Sequence, residues 1–353
     1  MDDSVVETAR EPSEPRMAPA RLLDVAAHAG VSIKTVSRVV NNEPNVRSQI
    51  RERVMHSVAA LGYRPNAAAR ALVTQRSHQI GLITTASSLY GPTAGLFSLE
   101  QAAWKAGYAL TLTTLRESSE PELEDAIRYL LARGVEGVIV SGTTGLLHLA
   151  PSALGGMPLV STSPITDAAL NHMVVDADQR MGARAAVHHL HALGHRRIAH
   201  IAGPPDWHAA VQRRDGWLQG LKDVGLQPGP VLEGDWSAKS GYQATLSLNR
   251  ADATAVFVAN DHMAMGAIRA FTEKGFQVPD DMSVVGFDDV PEAAYQMVPL
   301  TTVRQDFAAG AERSVRELVR LIESRAVENT SIYLPTELII RESTALVPVM
   351  DTA

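Results

Sequence analysis

The sequence predicts an α/β protein, with a small all-α head followed by a two-lobed body of parallel β-sheets covered by helices. Three observations predict it. Residues 22–63 hold only short helical patterns, whereas from residue 79 short β-branched runs alternate with helical segments, as in parallel sheets with helices on both faces. At 353 residues and 45% hydrophobic, the chain can bury more than one core, and its length suggests two or three domains. The net charge of −7 also hides a reversal along the chain. Residues 1–18 hold five acids and two arginines, residues 19–77 hold nine Lys/Arg against three Asp/Glu, and residues 78–353 carry a net −10. A basic segment fused to an acidic body suits a polyanion-binding head on a sensor, and a basic solvated face is the bland alternative.

The leader MDDSVVETAREPSEPRMA, residues 1–18, is acidic and broken by prolines, and is expected to be disordered. It lacks the basic n-region and apolar core of a signal peptide, and Met17 is a second candidate start. No apolar run approaches the roughly 20 residues of a membrane span. The absence of cysteine excludes disulfides and thiolate metal sites and fits a reducing cytoplasm. A cytoplasmic protein without cofactor is expected.

The head, residues 19–64, reads as three short helices in LLDVAAHAG, SIKTVSRVVNN and RSQIRERVMHSVAALG, stopped by Gly30, the Asn41-Asn42 pair and Gly62. Small Ala26 and turn-forming Gly30 suit two helices crossing steeply, the requirement of a helix-turn-helix motif whose second helix enters a DNA major groove. Ser32 stands where an N-cap would, turning the positive helix end toward a phosphate chain. In VSIKTVSRVV, residues 31–40, Val36, Val39 and Val40 share one face at helical spacing, and Ile33, Lys34, Ser37 and Arg38 share the other. An isoleucine shown to water makes sense if it waits for a thymine methyl, with Lys34 on guanine O6 or N7 and Arg38 on guanine or phosphate. An ordinary helical hairpin leaves Ile33 unexplained.

In the body, seven strand candidates stand out: residues 79–85, 108–114, 137–142, 158–163, 197–203, 255–261 and 283–289. Helices are expected in PELEDAIRYLLARG, MGARAAVHHLHALG, DHMAMGAIRAFTEKG and GAERSVRELVRLIESR. About ten strands exceed one ordinary open sheet, which argues for two lobes. Polar residues close several strands, as in VAND and GFDD, and the carboxyl ends of parallel strands are where such proteins bind ligands. The ligand cleft is therefore expected between the lobes. His188, His189, His191 and His195 crowd one helix, but no second cluster is aimed at them, so no metal is expected and His195 reads as structural.

At this level of detail the motifs become specific. The run LLDVAAHAGVSIKTVSRVVNN fits D-V-A-x-x-A-G-V-S-x-x-T-V-S-R-V-x-N and resembles the head of the lactose/galactose repressor family. The body continues the likeness at LGHRRIAHIAG, VFVAND, SVVGFDD and LTTVRQD, so that the resemblance covers about residues 21–348. It implies a helix-turn-helix head and hinge helix on a periplasmic-binding-protein-like body. Lobe 1 would take residues 78–176 and 304–334, lobe 2 residues 177–303 and 335–348, with a tail at 349–353. DNA contacts would come from Ser32, Ile33, Lys34, Thr35, Ser37, Arg38 and Asn41. Residues 65–77 would form the hinge, and the alanines of YRPNAAARALV leave a helix thin enough for a minor groove. There Asn66 and Ala69 would touch DNA and Leu72 would wedge a base step. Taken alone, the segment reads better as a plain alanine-rich linker.

The resemblance also implies a sugar effector, galactoside-like or a related saccharide, contacted by Arg213, Trp236, Asn260, Asp288, Gln305 and Phe307. The chemistry agrees, because a polyol needs planar donors, a carboxylate acceptor and an aromatic face. Ser163 stands where a galactoside-binding member of the family has an aspartate, and Ala209 where it has a serine. With a shorter segment at SSLYGPT, Tyr90 and Gly91 would shape a different wall. The leading expectation is a dimeric, sugar-released transcriptional repressor on a palindromic operator, dimeric because STALVPVMDTA ends without a leucine heptad. A transporter's solute-binding protein would share the body, but the basic head and missing signal peptide disfavour it. A sugar-acting enzyme with Asp288 or Asp289 as base lacks any phosphate loop, nucleophile elbow or paired partner, so no enzyme is expected.

Overall fold

Three helices fit into so short a head because small and β-branched side chains let them cross closely. In the computed structural model, which describes residues 20–64, 71–72, 74–116, 119–142, 149, 151–165, 172–324 and 330–347, the chain divides into two units, 1–77 and 78–353. In the first unit α1 (Leu22–Ala29), α2 (Ile33–Val40) and α3 (Ser48–Ala60) bury Val25, Ala26, Ala29, Val36, Val39 and Val54 together. Gly30 ends α1 in the left-handed region at φ 61°, where a side chain would be strained, and Val31 N–H donates back to the Ala26 carbonyl at 3.1 Å. Ser32 caps α2, its hydroxyl accepting from Thr35 N–H at 3.1 Å. His28 and the buried Ser57 join α1 to α3 at 2.9 Å. Of the expected hinge, residues 71 and 72 are helical and Leu72 is exposed; Asn66 and Ala69 lie outside the described residues.

The second unit holds two six-stranded sheets. The first sheet contains β1 (Gln79–Thr85), β2 (Ala109–Leu115), β3 (Val138–Ser141), β4 (Leu159–Ser161), β5 (Met173–Ala177) and β11 (Thr330–Leu334). Its order is β11-β5-β4-β3-β1-β2, and every pairing is parallel. Alternation assigns the faces. Ile80, Leu82 and Ile139 pack under α4 (Tyr90–Lys105) and α11 (Phe307–Ser324), while Ile83, Val138 and Val140 pack under α5 (Glu120–Leu131) and α6 (Pro151–Leu154).

The second sheet repeats the plan with β6 (Ile198–Ala202), β7 (Val231–Glu233), β8 (Ala255–Val258), β9 (Ser283–Asp288), β10 (Thr301–Arg304) and β12 (Glu337–Ile339), in the order β12-β10-β9-β8-β6-β7. On one face α7 (Gln179–Ala192) and α8 (His208–Asp223) cover Ile198, Phe257 and Phe287. On the other α9 (Ala238–Leu246) and α10 (Asp261–Glu273) cover Ile201, Val256 and Val284.

All seven expected strands form, the first at its expected bounds and the others with ends shifted by at most three residues, and the four expected helices form as well. Two expectations need correction. The described residues contain twelve strands, the extra ones being β5, β7, β10, β11 and β12, and β12 runs antiparallel to β10, so the second sheet is not wholly parallel. β12 follows directly on β11 of the first sheet and so enters the second sheet from its carboxyl edge, which is why it runs against β10.

The chain passes between the sheets three times, after β5, after β10 and after β11. The first and third connections are bonded to each other, Asp178 N–H donating to the Leu334 carbonyl at 2.7 Å. In both sheets the strand order reverses at the first strand, β2-β1-β3 and β7-β6-β8, and a crevice opens at the carboxyl edge of such a reversal. Among the described residues no helix is long and apolar enough to cross a membrane.

Candidate functional site

A cavity opens at those carboxyl edges and takes its walls from both sheets. All eight residues expected to meet an effector line it: Tyr90, Ser163, Arg213, Trp236, Asn260, Asp288, Gln305 and Phe307, with Gly91 and Ala209 among their neighbours. They come from widely separated segments. The first lobe contributes the hydroxyl side chains Ser141, Thr162 and Ser163 and the carboxyl of Asp176, and the second contributes Arg213, Asp288 and the indoles.

The centre is a closed polar circuit. Arg213, on α8 and 5% exposed, donates from Nε to Gln179 Oε1 at 2.9 Å, and its Nη2 lies 3.2 Å from Asp288 Oδ1. Gln179 Nε2 donates to Gln305 Oε1 at 2.8 Å, and Gln305 Nε2 donates to Asp288 Oδ1 at 2.8 Å. Arg213 Nη1 also donates to the Ala259 carbonyl, and the guanidinium carbon lies 3.8 Å from the centre of the Phe287 ring. Burial lowers the Arg213 pKa from its ordinary value, while Asp288, Asp176 and Asp261 pull it back. Burial likewise raises Asp288, opposed by Arg213 and Gln305. Buried charges of this kind persist only when paired and hydrogen-bonded.

Trp236 is buried beside this circuit, 5.7 Å from Trp207 in an edge-to-face pair and 5.5 Å from the Arg213 guanidinium. Across the cleft Tyr90 and Phe307 form a second edge-to-face pair at 5.9 Å. Burial raises the Tyr90 pKa first, and the field of Asp288 adds to it. Two crossed aromatic pairs around a charged and amide-rich floor suit a neutral guest with apolar C–H faces and several hydroxyls.

Asn260 lines the cleft but already works as a cap. Its Oδ1 accepts from Met263 N–H and its Nδ2 donates to the Trp236 carbonyl, both at 3.0 Å. One donor hydrogen remains for a guest. The two aspartates of GFDD separate. Asp288 faces the cleft, whereas Asp289 pairs with Arg304 at 2.7 Å and Arg341 at 2.6 Å. Asp261, fully buried, accepts from Val290 N–H at 2.8 Å and from the Thr302 hydroxyl at 2.5 Å. A Cβ at position 286 would stand 2.2 Å from Asp261 Oδ1, so only glycine fits there. With no cation bonded to it, burial pushes Asp261 up to about 8, and Asp288 adds to the rise. Burial raises Asp176, which lines the cleft from the end of β5, to about 7.

In the head, Ile33 is 48% exposed and Lys34 is exposed with no ion pair or hydrogen bond among the described residues. Four other expected contacts on α2 are engaged locally. The Thr35 hydroxyl meets that of Ser32 at 2.8 Å, and Asn41 Nδ2 donates to Ser37 Oγ at 3.3 Å. Arg38 departs from the exposed face expected for it. It is half-buried and folds toward Glu43, with Nε 3.2 Å from the carboxylate, and donates to the Pro44 carbonyl at 3.3 Å.

Sequence reasoning missed Gln179, Asp176 and Trp207 at the cleft; only the fold, which brings the residues after β5 of one sheet within reach of those after β10 of the other, would have found Gln179. Among the histidines, His195 is buried and bonds Thr254 and Ser283 at 2.9 Å each, a structural role, while His189 reaches Thr344 at 3.0 Å and His188 lies 3.3 Å from Asp223.

Residues 21–66 match the model of bacterial regulatory proteins of the lacI family, and residues 187–344 match a periplasmic binding protein-like domain. The lactose operon repressor of Escherichia coli (strain K12) is 37% identical over 341 residues, covering 96% of this chain and 94% of that protein. Among solved structures, a lac repressor dimer bound to operator and the anti-inducer ONPF shows a TM-score of 0.82 at 36% identity, covering 93% of this chain and all of that one. A complex of the transcriptional regulator CelR with cellobiose shows a TM-score of 0.67 at 31% identity, covering 92% of this chain and 99% of that one. With a relative this similar over nearly its whole length, the chain belongs to the lacI family of bacterial regulatory proteins.

Proposed function

We propose that the protein is a cytoplasmic, dimeric transcriptional repressor that reads a palindromic operator through α2 and is released from it by a neutral saccharide bound in the cleft. The observation that supports this reading most is the convergence of a paired guanidinium and carboxylate, two amides and two aromatic pairs on one cavity. The operator-bound lac repressor and the cellobiose-bound CelR are relatives in which both halves of the reading have a counterpart. Two copies of α2 would enter successive major grooves roughly 34–36 Å apart, which a two-fold dimer supplies. Lys34 and Ile33 would read bases, and Arg38 would turn from Glu43 to a phosphate when DNA arrives. The hinge, with Asn66, Ala69 and Leu72, would enter the minor groove.

The effector would act by preferring the lobe arrangement that cannot hold DNA, with a coupling of about 1–3 kcal/mol. Asp288 is held by Arg213 and Gln305 and Asp289 by two arginines, so neither of the two carboxylates of GFDD is free to act as a base. The test is selection of an operator from random duplex DNA with the full chain, followed by a panel of galactosides and glucosides, cellobiose included, scored for release. A two-fold symmetric site released by at least one sugar is expected. Failure to select any duplex, or release by the same sugar at the same concentration from the Arg213→Ala variant, would overturn the reading.

A further inference from the structure

The Arg213–Gln179–Gln305–Asp288 circuit has a direction. Arginine can only donate hydrogen bonds and an ionised carboxylate can only accept them, so the two glutamines between them have one workable amide orientation. Arg213 donates to Gln179, Gln179 to Gln305, and Gln305 to Asp288. The two amides are also placed where the lobes join. Gln179 lies on the connection after β5 and Gln305 on the connection after β10, while Asp178 bonds the third connection through the Leu334 carbonyl.

We infer that Gln179 is a positioning residue that ties two of the three connections between the lobes to the ligand-reading Arg213–Asp288 pair, so that a guest alters the lobe arrangement by competing for the ends of this relay. A hydroxyl accepting from Arg213 or donating to Asp288 displaces a member of the circuit, and the displacement is felt at residues 179 and 305 without passing through either sheet. Gln179 is 5% exposed, and its amide makes both circuit bonds and also meets the Asp176 carboxyl. The guest's role rests on the sugar-responsive reading above; the relay itself does not.

The test is amide hydrogen exchange of the ligand-free full chain. Gln179→Glu keeps the acceptor for Arg213 but presents an acceptor to Gln305, whose amide must then turn its oxygen toward Asp288. Exchange of a peptide over residues 305–312 is expected to quicken about tenfold, although the substitution lies more than a hundred residues away in sequence. Adding Asp288→Asn supplies a donor at the far end, reverses the relay, and should return that peptide to within about threefold of wild type. A cap defect would quicken only residues 176–184 and would not respond to the second substitution; either result overturns the inference. Should Gln179→Glu fail to fold, Gln305→Met is read at residues 177–184, where unchanged exchange overturns it equally. Neither arm uses a sugar or an operator, so a failed relay and a failed repressor assignment are told apart.

Discussion

The exposed edge of α2 and the floor of the cleft are two recognition surfaces built on opposite plans. On α2, Ile33 and Lys34 stand in water and touch little. In the cleft, Arg213 and Asp288 are almost wholly buried and bonded to each other before any guest arrives. The desolvation of a recognition group falls on binding in the first case and on folding in the second. Substitutions on α2 should therefore change affinity and leave stability alone, while substitutions in the cleft should change both.

The largest break in this contrast is expected from Arg213→Ala. It leaves Asp288 a buried carboxylate without its cation and empties the space over the Phe287 ring. Removing one partner of a buried pair typically destabilises by about 3–5 kcal/mol. Urea unfolding should show a loss of that size together with loss of the sugar response, while operator affinity of the folded fraction stays within about threefold. An unchanged unfolding midpoint would mean that the cleft, like α2, carries its recognition groups without structural consequence.

The body also contains groups whose titration opposes one another, and this sharpens the contrast by pH. Burial lowers His200, packed between Trp217 and Phe257, to about 4. The unfolded chain takes up a proton there below about 6.5 while the folded chain does not, so this part of the stability is lost as pH falls from about 6.5 to 4. Asp261, raised to about 8, behaves oppositely. The unfolded carboxyl ionises above about 4 while the folded one keeps its proton, so stability is lost as pH rises from about 4 to 8. The unfolding free energy of wild type relative to Asp261→Asn should thus fall across that range, by at most about 1.4 kcal/mol per pH unit. Relative to His200→Phe it should rise between pH 4 and 6.5. A flat difference curve in either case would show that the group does not keep its folded-state protonation.

These groups also mark where sequence reading stops. The edge of α2 was legible because a helix repeats every 3.6 residues, so four residues within a stretch of ten reveal one odd face. The alternation of strands and helices gave the two sheets, but β7 and β12 are three residues long, too short to show a period, and β5 in MVVDA is a buried run that periodicity alone does not distinguish. In GFDD nothing distinguishes Asp288 from Asp289, because both take positive φ, 110° and 52°, and the alternation that would assign faces breaks there. Gln179 follows an N-cap aspartate in the first turn of α7, where a glutamine reads as solvated. Its role exists only once the fold brings the residues after β5 and after β10 within hydrogen-bond reach.

On α2 the expected effects are smaller and confined to DNA. Lys34→Ala should weaken specific operator binding by about 1–3 kcal/mol and relax base preference, and Ile33→Ala should lose discrimination at a T·A pair. Both variants should unfold at the wild-type urea concentration, since neither side chain joins the buried set of the head. A drop in the midpoint for Ile33→Ala would place it in the fold and not on a reading edge.

The smallest effect is expected at Glu43, and it separates the two plans within the head itself. Arg38 is the one cation of α2 already paired, but the pair is half-exposed, with side-chain exposures of 38% and 48%. Such a pair contributes roughly 0–1 kcal/mol, little enough for a phosphate to win the guanidinium. Glu43→Ala should therefore leave stability nearly unchanged and release Arg38 in advance of binding. Affinity for duplex DNA of any sequence should rise severalfold at low salt, and the slope of log affinity against log salt should steepen, by less than the unit that a full new phosphate contact adds. Sequence preference should not move, because phosphate contacts carry no base information. If Glu43→Ala instead changed the preferred operator, Arg38 would be reading a base, and the pairing with Glu43 would be a restraint on specificity.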